Sequence, residues 1–332
     1  MRIERNYSLL SHNTFGIEVK ADRFVEYASV DELTQFIPQL EQPFIHIGEG
    51  SNLLFTGDYR GTVLHSAIKG IEVVQDTDES VKVRVGAGEV WDDFVQWAVD
   101  HHYGGVENLS IIPGEVGASA VQNIGAYGVE AKDVIVEVET VSLSDASSHV
   151  FSNADCRYGY RQSRFKGEWK GLYAVTHVTY SLSKHHVLKL DYGNIRSVLS
   201  DASDVSIADV RQAIIDIRNA KLPDPKITGN AGSFFMNPVV SQEKYEAIKA
   251  QYPDVPHYDV ADGVKIPAGW MIEQCGWKGK TLGRAGVHGK QALVLINKGG
   301  ATGEDVLRLC ETICKDVQDR FGVSIHPEVN VI

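Results

Sequence analysis

The sequence predicts an α+β fold in which antiparallel strands are combined with a few amphipathic helices. Two runs, 81–85 and 174–180, alternate apolar and polar residues with the period of a half-buried strand. Helical spacing appears instead at about 89–102 and at about 304–321. Because the helices do not alternate regularly with buried strands, a parallel doubly wound sheet is not expected.

Each predicted element has a local signature. The helix at 89–102 ends at a pair of glycines, and its spacing predicts that it faces the core through Val90, Phe94, Trp97 and His101. Ser206 forms a capping box with Asp209 and opens a helix that ends at a proline-bearing joint, 221–225. This joint is the clearest domain boundary in the chain.

The C-terminal third continues the mixed pattern. A glycine-rich loop at 229–238 precedes a helix opened by Ser241 and a strand at 292–297. Cys310 and Cys314 lie on the apolar stripe of the last helix, so they are interpreted as core thiols rather than ligands. No metal site is expected, since the four cysteines match no paired zinc spacing.

Composition limits the function classes. A chain of 332 residues is longer than one ordinary core needs, so two or three domains are expected. Its net charge of −12 argues against binding a nucleic-acid backbone over a broad basic surface, although a few converging cations could hold an anionic ligand. No apolar leader or membrane-spanning run is seen, so a cytoplasmic protein with no membrane partner is expected.

Two glycine-rich segments are candidates for ligand binding. In the first, 48–53, bare peptide N–H groups would suit a diphosphate, but Leu53 stands where the Rossmann spacing needs a third glycine. Alone, this segment is equally a tight turn. In the second, 112–128, four glycines with small neighbours could wrap a flat or phosphorylated ligand, while Ser119, Gln122 and Asn123 supply hydrogen bonds.

Together, the runs G-x-G-S-N and I-P-G-x-x-G with Q-N-I-G-A-Y-G resemble the flavin domain of the UDP-N-acetylenolpyruvoylglucosamine reductase family. The resemblance extends from the H-N-T-F run at 12–15 to the P-E-V run at 327–329. It implies a two-part FAD-binding domain of the vanillyl-alcohol-oxidase/PCMH type, followed by a smaller α+β substrate-binding domain. The expected divisions are FAD subdomains at 1–65 and 66–218 and a substrate domain at 219–321, with 322–332 as a candidate to return to the first subdomain.

The resemblance also implies non-covalent FAD and NADPH as co-substrate. The implied reaction reduces UDP-N-acetylglucosamine enolpyruvate to UDP-N-acetylmuramate, a step of peptidoglycan precursor synthesis. The residues implied to bind FAD come from both glycine segments: Gly48, Glu49, Gly50, Ser51, Asn52, Leu53, Gly114, Ser119, Gln122, Asn123, Ile124, Gly125, Ala126 and Tyr127.

Three residues match the catalytic positions of the family. Arg161, in a basic and aromatic run, would grip the substrate carboxylate through two parallel hydrogen bonds. Ser233 stands at the position of the proton donor, and a protonated Glu328 would donate a hydrogen bond to the developing enolate. By themselves these residues are equally a solvated turn, a turn cap and a solvated terminal carboxylate.

Further positions match the family's substrate or nicotinamide site: Tyr160, Tyr192, Lys221, Asn237, His288 and Gln291. Tyr192 matches a tyrosine that closes over the sugar nucleotide in one subtype, although it could also be a strand-end aromatic. Four positions depart from the family pattern: Ala120, Met236, Arg284 and Asn330. The first three departures leave the proposed chemical groups unchanged and bear only on loop rigidity, nearby positive charge and the grip on the nucleotide.

Two other function classes are compatible with parts of the pattern. An FAD oxidase or dehydrogenase acting on an alcohol would use the same flavin architecture, but it gives Ser233 and Glu328 no role. A non-catalytic sugar-nucleotide binding protein would hold UDP directly on the glycine segments. Flavin colour, bleached by NADPH and restored by the enolpyruvyl substrate, discriminates the three.

Overall fold

A computed structural model describes residues 1–199 and 204–332. The chain divides into two compact units, each made of separate stretches. The first unit comprises Met1–Tyr7, Ala21–Glu49 and Arg60–Ala220, and the second comprises Ser8–Lys20, Gly50–Tyr59 and Lys221–Ile332. The last boundary falls at the proline-bearing joint. The finer division at 1–65, 66–218 and 219–321 stays a prediction.

The first unit contains two main sheets. A five-stranded antiparallel sheet has the order Ser148–Ser152, Ile135–Ser142, Tyr173–Ser183, Ser80–Gly86 and Ile71–Asp76. A four-stranded sheet has the order Arg2–Ser8, Lys20–Tyr27, Tyr59–Ser66 and Phe44–Ile47, the last two being parallel. The two alternating runs of the sequence are therefore neighbours in one sheet, paired from His177 with Gly86 to Ser183 with Ser80.

The helices of the first unit are α1 (Val30–Phe36), α2 (Trp91–Asp100), α3 (Val116–Gln122), α4 (Ile195–Val198) and α5 (Ile207–Lys221), with 3-10 turns at Ile37–Gln39, Glu107–Leu109 and Ala131–Asp133. Three of these helices share cores with the two sheets, and the other two, α4 and α5, pack against each other in a separate cluster. The Ser206 and Asp209 capping box is present, with Asp209 N donating to Ser206 Oγ at 3.2 Å. The expected loop at 112–128 is wrong in part, because small residues let α3 form there and pack close to the sheet.

The predicted inward stripe of α2 is correct for Phe94 but wrong at its ends. Val90 is extended, precedes the helix and is 37% exposed, and His101 lies beyond the last helical residue and is exposed. Trp91 determines the buried face, because its side chain is fully buried and its indole N–H donates to Leu109 O at 2.9 Å. Trp97 is half-buried against the same core.

The second unit has a four-stranded sheet with the order Asn230–Ser233, Val294–Asn297, Ala285–Val287 and Thr281–Leu282. A three-stranded sheet has the order Val239–Val240, Gly263–Lys265 and Tyr258–Val260, and Leu53–Leu54 pairs in parallel with Asn330–Val331. The helices are α6 (Gln242–Gln251), α7 (Ala268–Gln274) and α8 (Gly303–Phe321), after an N-terminal 3-10 turn at Leu10–His12.

The predicted helices of the second unit are confirmed. Ser241 caps α6, its hydroxyl accepting from Lys244 N. Thr302 and Asp305 form a capping box for α8, and Gly322, with a φ of 59°, ends it. Cys310 is buried on the inner face of α8 as expected.

The α+β class is confirmed, since antiparallel sheets and helices occur in both units. Within residues 1–199 and 204–332, no helix has the length and apolar character needed to cross a membrane. The same residues contain no group of three His, Cys, Asp or Glu side chains that could hold a metal ion.

Arg211→Met tests the anchoring of α5. Arg211 is 8% exposed and forms two hydrogen bonds with Asp92, at 2.7 and 2.9 Å, so the substitution leaves a partly buried carboxylate without the cation that binds both of its oxygens. Because Asp92 retains some contact with water, we expect a loss of roughly 2–3 kcal/mol in the free energy of unfolding, measured by urea titration. Arg60→Met, in an exposed pair with Asp22, is the matched control and should cost less than about 1 kcal/mol. Equal losses would contradict the anchoring role.

Candidate active site

In the first unit, the two glycine-rich segments meet at Gly48. A Cβ added there would lie 3.1 Å from Glu115 Oε2 and 3.5 Å from Ala118 Cβ. Gly114, just before α3, has a φ of 132°, which glycine adopts without strain. Because Gly48 has no side chain, the two segments can approach each other closely. A phosphate group held by peptide N–H groups needs a similarly uncovered backbone.

A charged network lies beside this junction. His65 Nε2 is 2.9 Å from Glu115 Oε1, and His65 Nδ1 is 3.0 Å from Glu26 Oε2. Burial lowers the pKa of His65, but hydrogen bonds and charges from both glutamates outweigh it, so the pKa is raised overall. Burial also raises the pKa of Glu115, which His65 partly opposes. The network ties a strand of the four-stranded sheet to the residue that precedes α3.

Asn123 fixes the chain that follows α3. Its φ of 45° is left-handed and ends the helix. Its side-chain N donates to Gly159 O at 2.8 Å, and its Oδ1 accepts from Lys132 N at 3.0 Å. The next residues, Gly125–Ala126, pair with Val129–Glu130 in a short antiparallel ribbon.

Arg161 lies against this ribbon. Its Nη2 donates to Gly125 O at 2.6 Å, and its Nη1 would lie 3.0 Å from a Cβ added to Gly125. The arginine itself is left-handed, with a φ of 54°, and Lys166 Nζ donates to its carbonyl at 3.1 Å. Its guanidinium also lies 5.5 Å from the ring centroid of Tyr160, which is exposed. The structure thus brings Arg161 to the predicted cofactor segment.

The end of the segment packs against Tyr192 and Gly193. A Cβ added to Gly193 would lie 2.8 Å from the ring of Tyr127, and one added to Gly128 would lie 3.7 Å from Tyr192 Cβ. Asn108 Nδ2 donates to Tyr127 O at 2.9 Å. Tyr192 is exposed and therefore accessible beside this segment.

Two residues predicted to bind the cofactor, Ser119 and Ile124, form hydrogen bonds within the protein. The buried hydroxyl of Ser119 donates to Val116 O at 2.7 Å and lies 2.9 Å from Tyr180 Oη. Ile124 N donates to Ser119 O at 3.3 Å, and its carbonyl accepts from Ala131 N at 2.8 Å. Ligand hydrogen bonds from Ser119, Gln122 and Asn123 stay a prediction.

In the second unit, the backbone of the H-N-T-F run, 12–15, is in close contact with two glycines that are distant in sequence, Gly50 and Gly229. Thr14 N donates to Gly50 O at 3.3 Å, and a Cβ added to Gly50 would overlap the His12 carbonyl. Gly50 also has a φ of 78°. A Cβ added to Gly229 would overlap the Phe15 carbonyl. Both glycines are therefore required for close backbone packing.

The second unit pairs the chain that follows Ser233 with the chain around Glu328. Glu328 N donates to Phe234 O at 2.8 Å, and Met236 N donates to His326 O at 3.0 Å. Ser233 is exposed at the end of its strand, and its hydroxyl has no hydrogen bond to any residue that the structure describes. Glu328 is half-buried.

The end of the first glycine segment joins the same region. Asn52 Nδ2 donates to Glu328 O at 3.4 Å. The backbone carbonyl of Asn52 accepts from Asn330 N at 3.1 Å and from Asn330 Nδ2 at 3.3 Å. Asn330, where the family pattern has arginine, therefore uses its amide to hold this segment.

Asn237 and Gln291 lie near the start of α7. Asn237 Oδ1 accepts from Ala268 N at 2.9 Å, and a Cβ added to Gly269 would lie 3.3 Å from Gln291 Oε1. Gln291 Oε1 also accepts from Leu293 N at 3.3 Å. The structure brings these two predicted substrate residues to one helix end.

His288 lies beside Lys221. Burial lowers the pKa of His288, the charge of Lys290 lowers it further, and a hydrogen bond with the Lys221 backbone opposes both. His288 Nε2 is buried and has no hydrogen-bond partner in the described part of the chain. Arg284, another departure from the family pattern, donates to Gly300 O at 3.2 Å.

Comparisons with known proteins show the family of the chain. The model named FAD binding domain matches residues 22–150, and the model of the C-terminal domain of UDP-N-acetylenolpyruvoylglucosamine reductase matches 224–332. The reductase of Bacteroides fragilis is 58% identical and is aligned over 99% of this chain and 100% of its own. The chain belongs to the UDP-N-acetylenolpyruvoylglucosamine reductase family. The reductase of Flavobacterium johnsoniae is 46% identical over the whole of both chains.

Solved structures support the family fold. UDP-N-acetylenolpyruvylglucosamine reductase from Thermus caldophilus has a TM-score of 0.70 and 23% identity, covering 100% of this chain and 99% of its own. 6-Hydroxy-D-nicotine oxidase from Arthrobacter nicotinovorans has a TM-score of 0.54 and 12% identity, and the alignment covers 97% of this chain and 86% of the oxidase chain. With the FAD-binding match, these likenesses confirm the predicted flavin-domain class.

The residues present fit FAD on structural grounds. Gly48 carries no side chain where the two glycine-rich segments meet, which suits close approach of a diphosphate, and the ribbon at Gly125–Ala126 has the Arg161 guanidinium on the Gly125 carbonyl. Glu115 and His65 support this junction but were missed in the sequence. Glu115 stands inside the recognised I-P-G-x-x-G run, whereas His65 leaves no periodic signal because it is a polar residue in a buried strand.

His65→Gln tests the network. The folded state binds the His65 proton more tightly than the unfolded chain does, so this stabilisation is complete below a pH of about 6.5 and is lost as the pH rises through the raised folded pKa. The raised pKa of Glu115 acts in the same direction. We expect the wild-type melting temperature to fall more steeply above about pH 6.5 than that of the variant. His185→Gln, at an exposed histidine, is the control, and parallel curves for wild type and His65→Gln would refute the network's role.

Proposed function

We propose that this chain reduces UDP-N-acetylglucosamine enolpyruvate to UDP-N-acetylmuramate with NADPH and FAD, in peptidoglycan precursor synthesis. The observation that supports the proposal is the backbone hydrogen bond between Glu328 and Phe234, the residue after Ser233, in a chain of this family. Non-covalent FAD and a cytoplasmic location are parts of the same proposal.

The substrate carries an alkene conjugated to a carboxylate. When bound, FAD supplies the transfer of hydride from NADPH to the terminal alkene carbon. The electron pair of the alkene then moves toward the carboxylate, and a proton must be added to the neighbouring carbon. The protein therefore has two tasks, to stabilise negative charge and to deliver one proton.

Arg161 and a protonated Glu328 are the residues that we assign to the negative charge. A guanidinium suits this task because its planar N–H groups match the two oxygens of a carboxylate. Each donor aimed at developing charge contributes roughly 2.7 to 4 kcal/mol in comparable sites. Ser233 is assigned to protonate the carbon, since its hydroxyl is exposed and is bonded to no described residue.

The remaining side chains are assigned to binding. Lys221 and His288, which are in contact, and Asn237 and Gln291, at the start of α7, would hold the sugar nucleotide or the nicotinamide. Tyr160 would lie with Arg161 near the carboxylate. Tyr192 is assigned to close over the sugar nucleotide, because it is exposed beside Gly128.

Flavin colour tests the reaction. The purified protein should be yellow, and anaerobic NADPH should bleach it. The colour should return when UDP-N-acetylglucosamine enolpyruvate is added, whereas UDP-N-acetylglucosamine, which lacks the alkene, is the control and should leave the protein bleached. Protein that stays colourless after incubation with excess FAD would exclude the proposal. Return of colour with oxygen but not with the enolpyruvyl substrate would favour an oxidase.

Ser233→Ala tests the proton donor. We expect bleaching by NADPH to keep its wild-type rate, because no proton from Ser233 is needed there. Reoxidation by the enolpyruvyl substrate should slow by at least about 100-fold, within the range that general acids contribute. Both rates are measured by anaerobic stopped flow. Ser324→Ala, at an exposed serine of the same unit, is the control. Equal slowing of both half-reactions would make Ser233 a structural residue.

A further inference from the structure

Asn108 is a buried amide of the first unit that joins two separate stretches of the chain. It lies in the 3-10 turn Glu107–Leu109, and its side chain is fully buried. Its Nδ2 donates to the carbonyl of Tyr127 at 2.9 Å and to the carbonyl of Lys189 at 2.9 Å. The first acceptor belongs to the second glycine-rich segment, and the second precedes Tyr192 by three residues.

The two acceptors determine the orientation of this amide. Asn108 Oδ1 is buried and has no hydrogen-bond partner in the described part of the chain. Turning the amide over would place this oxygen against two carbonyl oxygens and would remove the donor from both. The side chain therefore keeps the orientation that satisfies both carbonyls, even though its own buried acceptor stays unpaired.

The turn that carries Asn108 is itself held in place. Leu109 is fully buried, and its carbonyl accepts from the indole N–H of Trp91 at 2.9 Å. The hydroxyl of Ser110 donates to Glu107 O at 2.6 Å. Asn108 therefore binds the two carbonyls from a support that is fixed to the core of the unit.

Tyr192 lies in a short segment, 188–193, that contacts the second glycine-rich segment near both of its ends. Toward its start, the Lys189 carbonyl is held by Asn108, and the leucines on either side of Lys189 pack against the cluster that α4 and α5 form. At its end, a Cβ added to Gly193 would lie 2.8 Å from the ring of Tyr127. Tyr192 itself is 54% exposed between these two contacts.

We propose that Asn108 is a positioning residue, which holds segment 188–193 against the second glycine-rich segment so that Tyr192 can close over the sugar nucleotide. This inference rests on the proposed function, which gives Tyr192 that role. Because Asn108 is fully buried, it acts through the two carbonyls and does not touch the substrate. Holding the segment before the ligand arrives reduces the conformational entropy that binding has to remove.

A buried asparagine that bridges two carbonyls can also serve the fold alone, and the same unit contains a matched example. Asn153 Nδ2 donates to Lys132 O at 2.8 Å and to Ile135 O at 2.8 Å. Neither carbonyl belongs to segment 188–193. Asn153→Leu is therefore the control for Asn108→Leu, since each substitution removes an amide that donates to two carbonyls.

Trypsin tests the anchoring of the segment. Lys189 is exposed, and the carbonyl that trypsin attacks after this residue is the one that Asn108 holds. In FAD-loaded Asn108→Leu, we expect cleavage after Lys189 to be at least about 10-fold faster than in the wild type, because the segment opens more often. Mass spectrometry identifies the products, and Asn153→Leu should be cut there at the wild-type rate. An unchanged rate in Asn108→Leu would refute the anchoring.

Ligand affinity tests the effect on Tyr192. By calorimetry on FAD-loaded protein, Asn108→Leu should weaken binding of UDP-N-acetylglucosamine enolpyruvate roughly 5- to 20-fold, whereas Asn153→Leu should leave it unchanged. In a Tyr192→Ala background, Asn108→Leu should change this affinity less than about twofold, because its effect acts through Tyr192. Equal losses in the two backgrounds, unchanged affinity, or loss of bound FAD would overturn the proposal.

A second variant keeps the test decisive if Asn108→Leu does not fold. Asn108→Asp keeps the shape of the side chain with at most one donor, so both effects should appear in the same direction, and the absence of either would contradict the role of Asn108. Wild-type protein that binds FAD but not the enolpyruvyl ligand would end the proposed function, and this role with it. Normal wild-type binding together with equal losses in the two backgrounds would end the role of Asn108 alone.

Discussion

Close backbone approach at glycines is the constraint on which the rest of the structure depends. A Cβ on Gly50 or Gly229 would overlap a carbonyl of the H-N-T-F run, and a Cβ on Gly117 would lie 2.9 Å from Ala87 Cβ. In each case the neighbour is backbone or a short side chain that cannot move aside. These glycines are therefore required for backbone packing, whatever ligand the chain binds. A larger residue at any of the three positions would displace the neighbouring backbone or side chain.

The polar residues divide into two groups according to where their hydrogen bonds go. Asn123 and the hydroxyl of Ser119 are bonded inside the first unit, so their side chains stabilise the conformation of the second glycine-rich segment. Ser233 is exposed, and its hydroxyl is bonded to no described residue. A glycine-rich run can therefore contain residues of both kinds, and sequence pattern alone assigns them the same role.

The sequence predicted the elements whose signals are local. The capping box at Ser206, the cap at Ser241 and the alternation at 81–85 are determined by neighbouring residues, and all three are present in the structure. The stripe of α2 was misplaced because the burial of Trp91 depends on its contact with Leu109, eighteen residues away. Stretches 8–20 and 50–59 join the second unit through long-range packing, which no local pattern reveals.

The same distinction explains which candidate residues could be named from the sequence. Ser233, Glu328 and Arg161 lie in runs whose residue order carries a family resemblance, so they could be named without a structure. Arg218 lies in an ordinary amphipathic helix, seven residues after Arg211, and nothing in the spacing separates the two. Only the structure distinguishes them, because Asp92 neutralises Arg211 with two hydrogen bonds while Arg218 keeps a buried, unpaired N–H. Arg211 therefore serves the fold, whereas Arg218 has one N–H that no described residue satisfies.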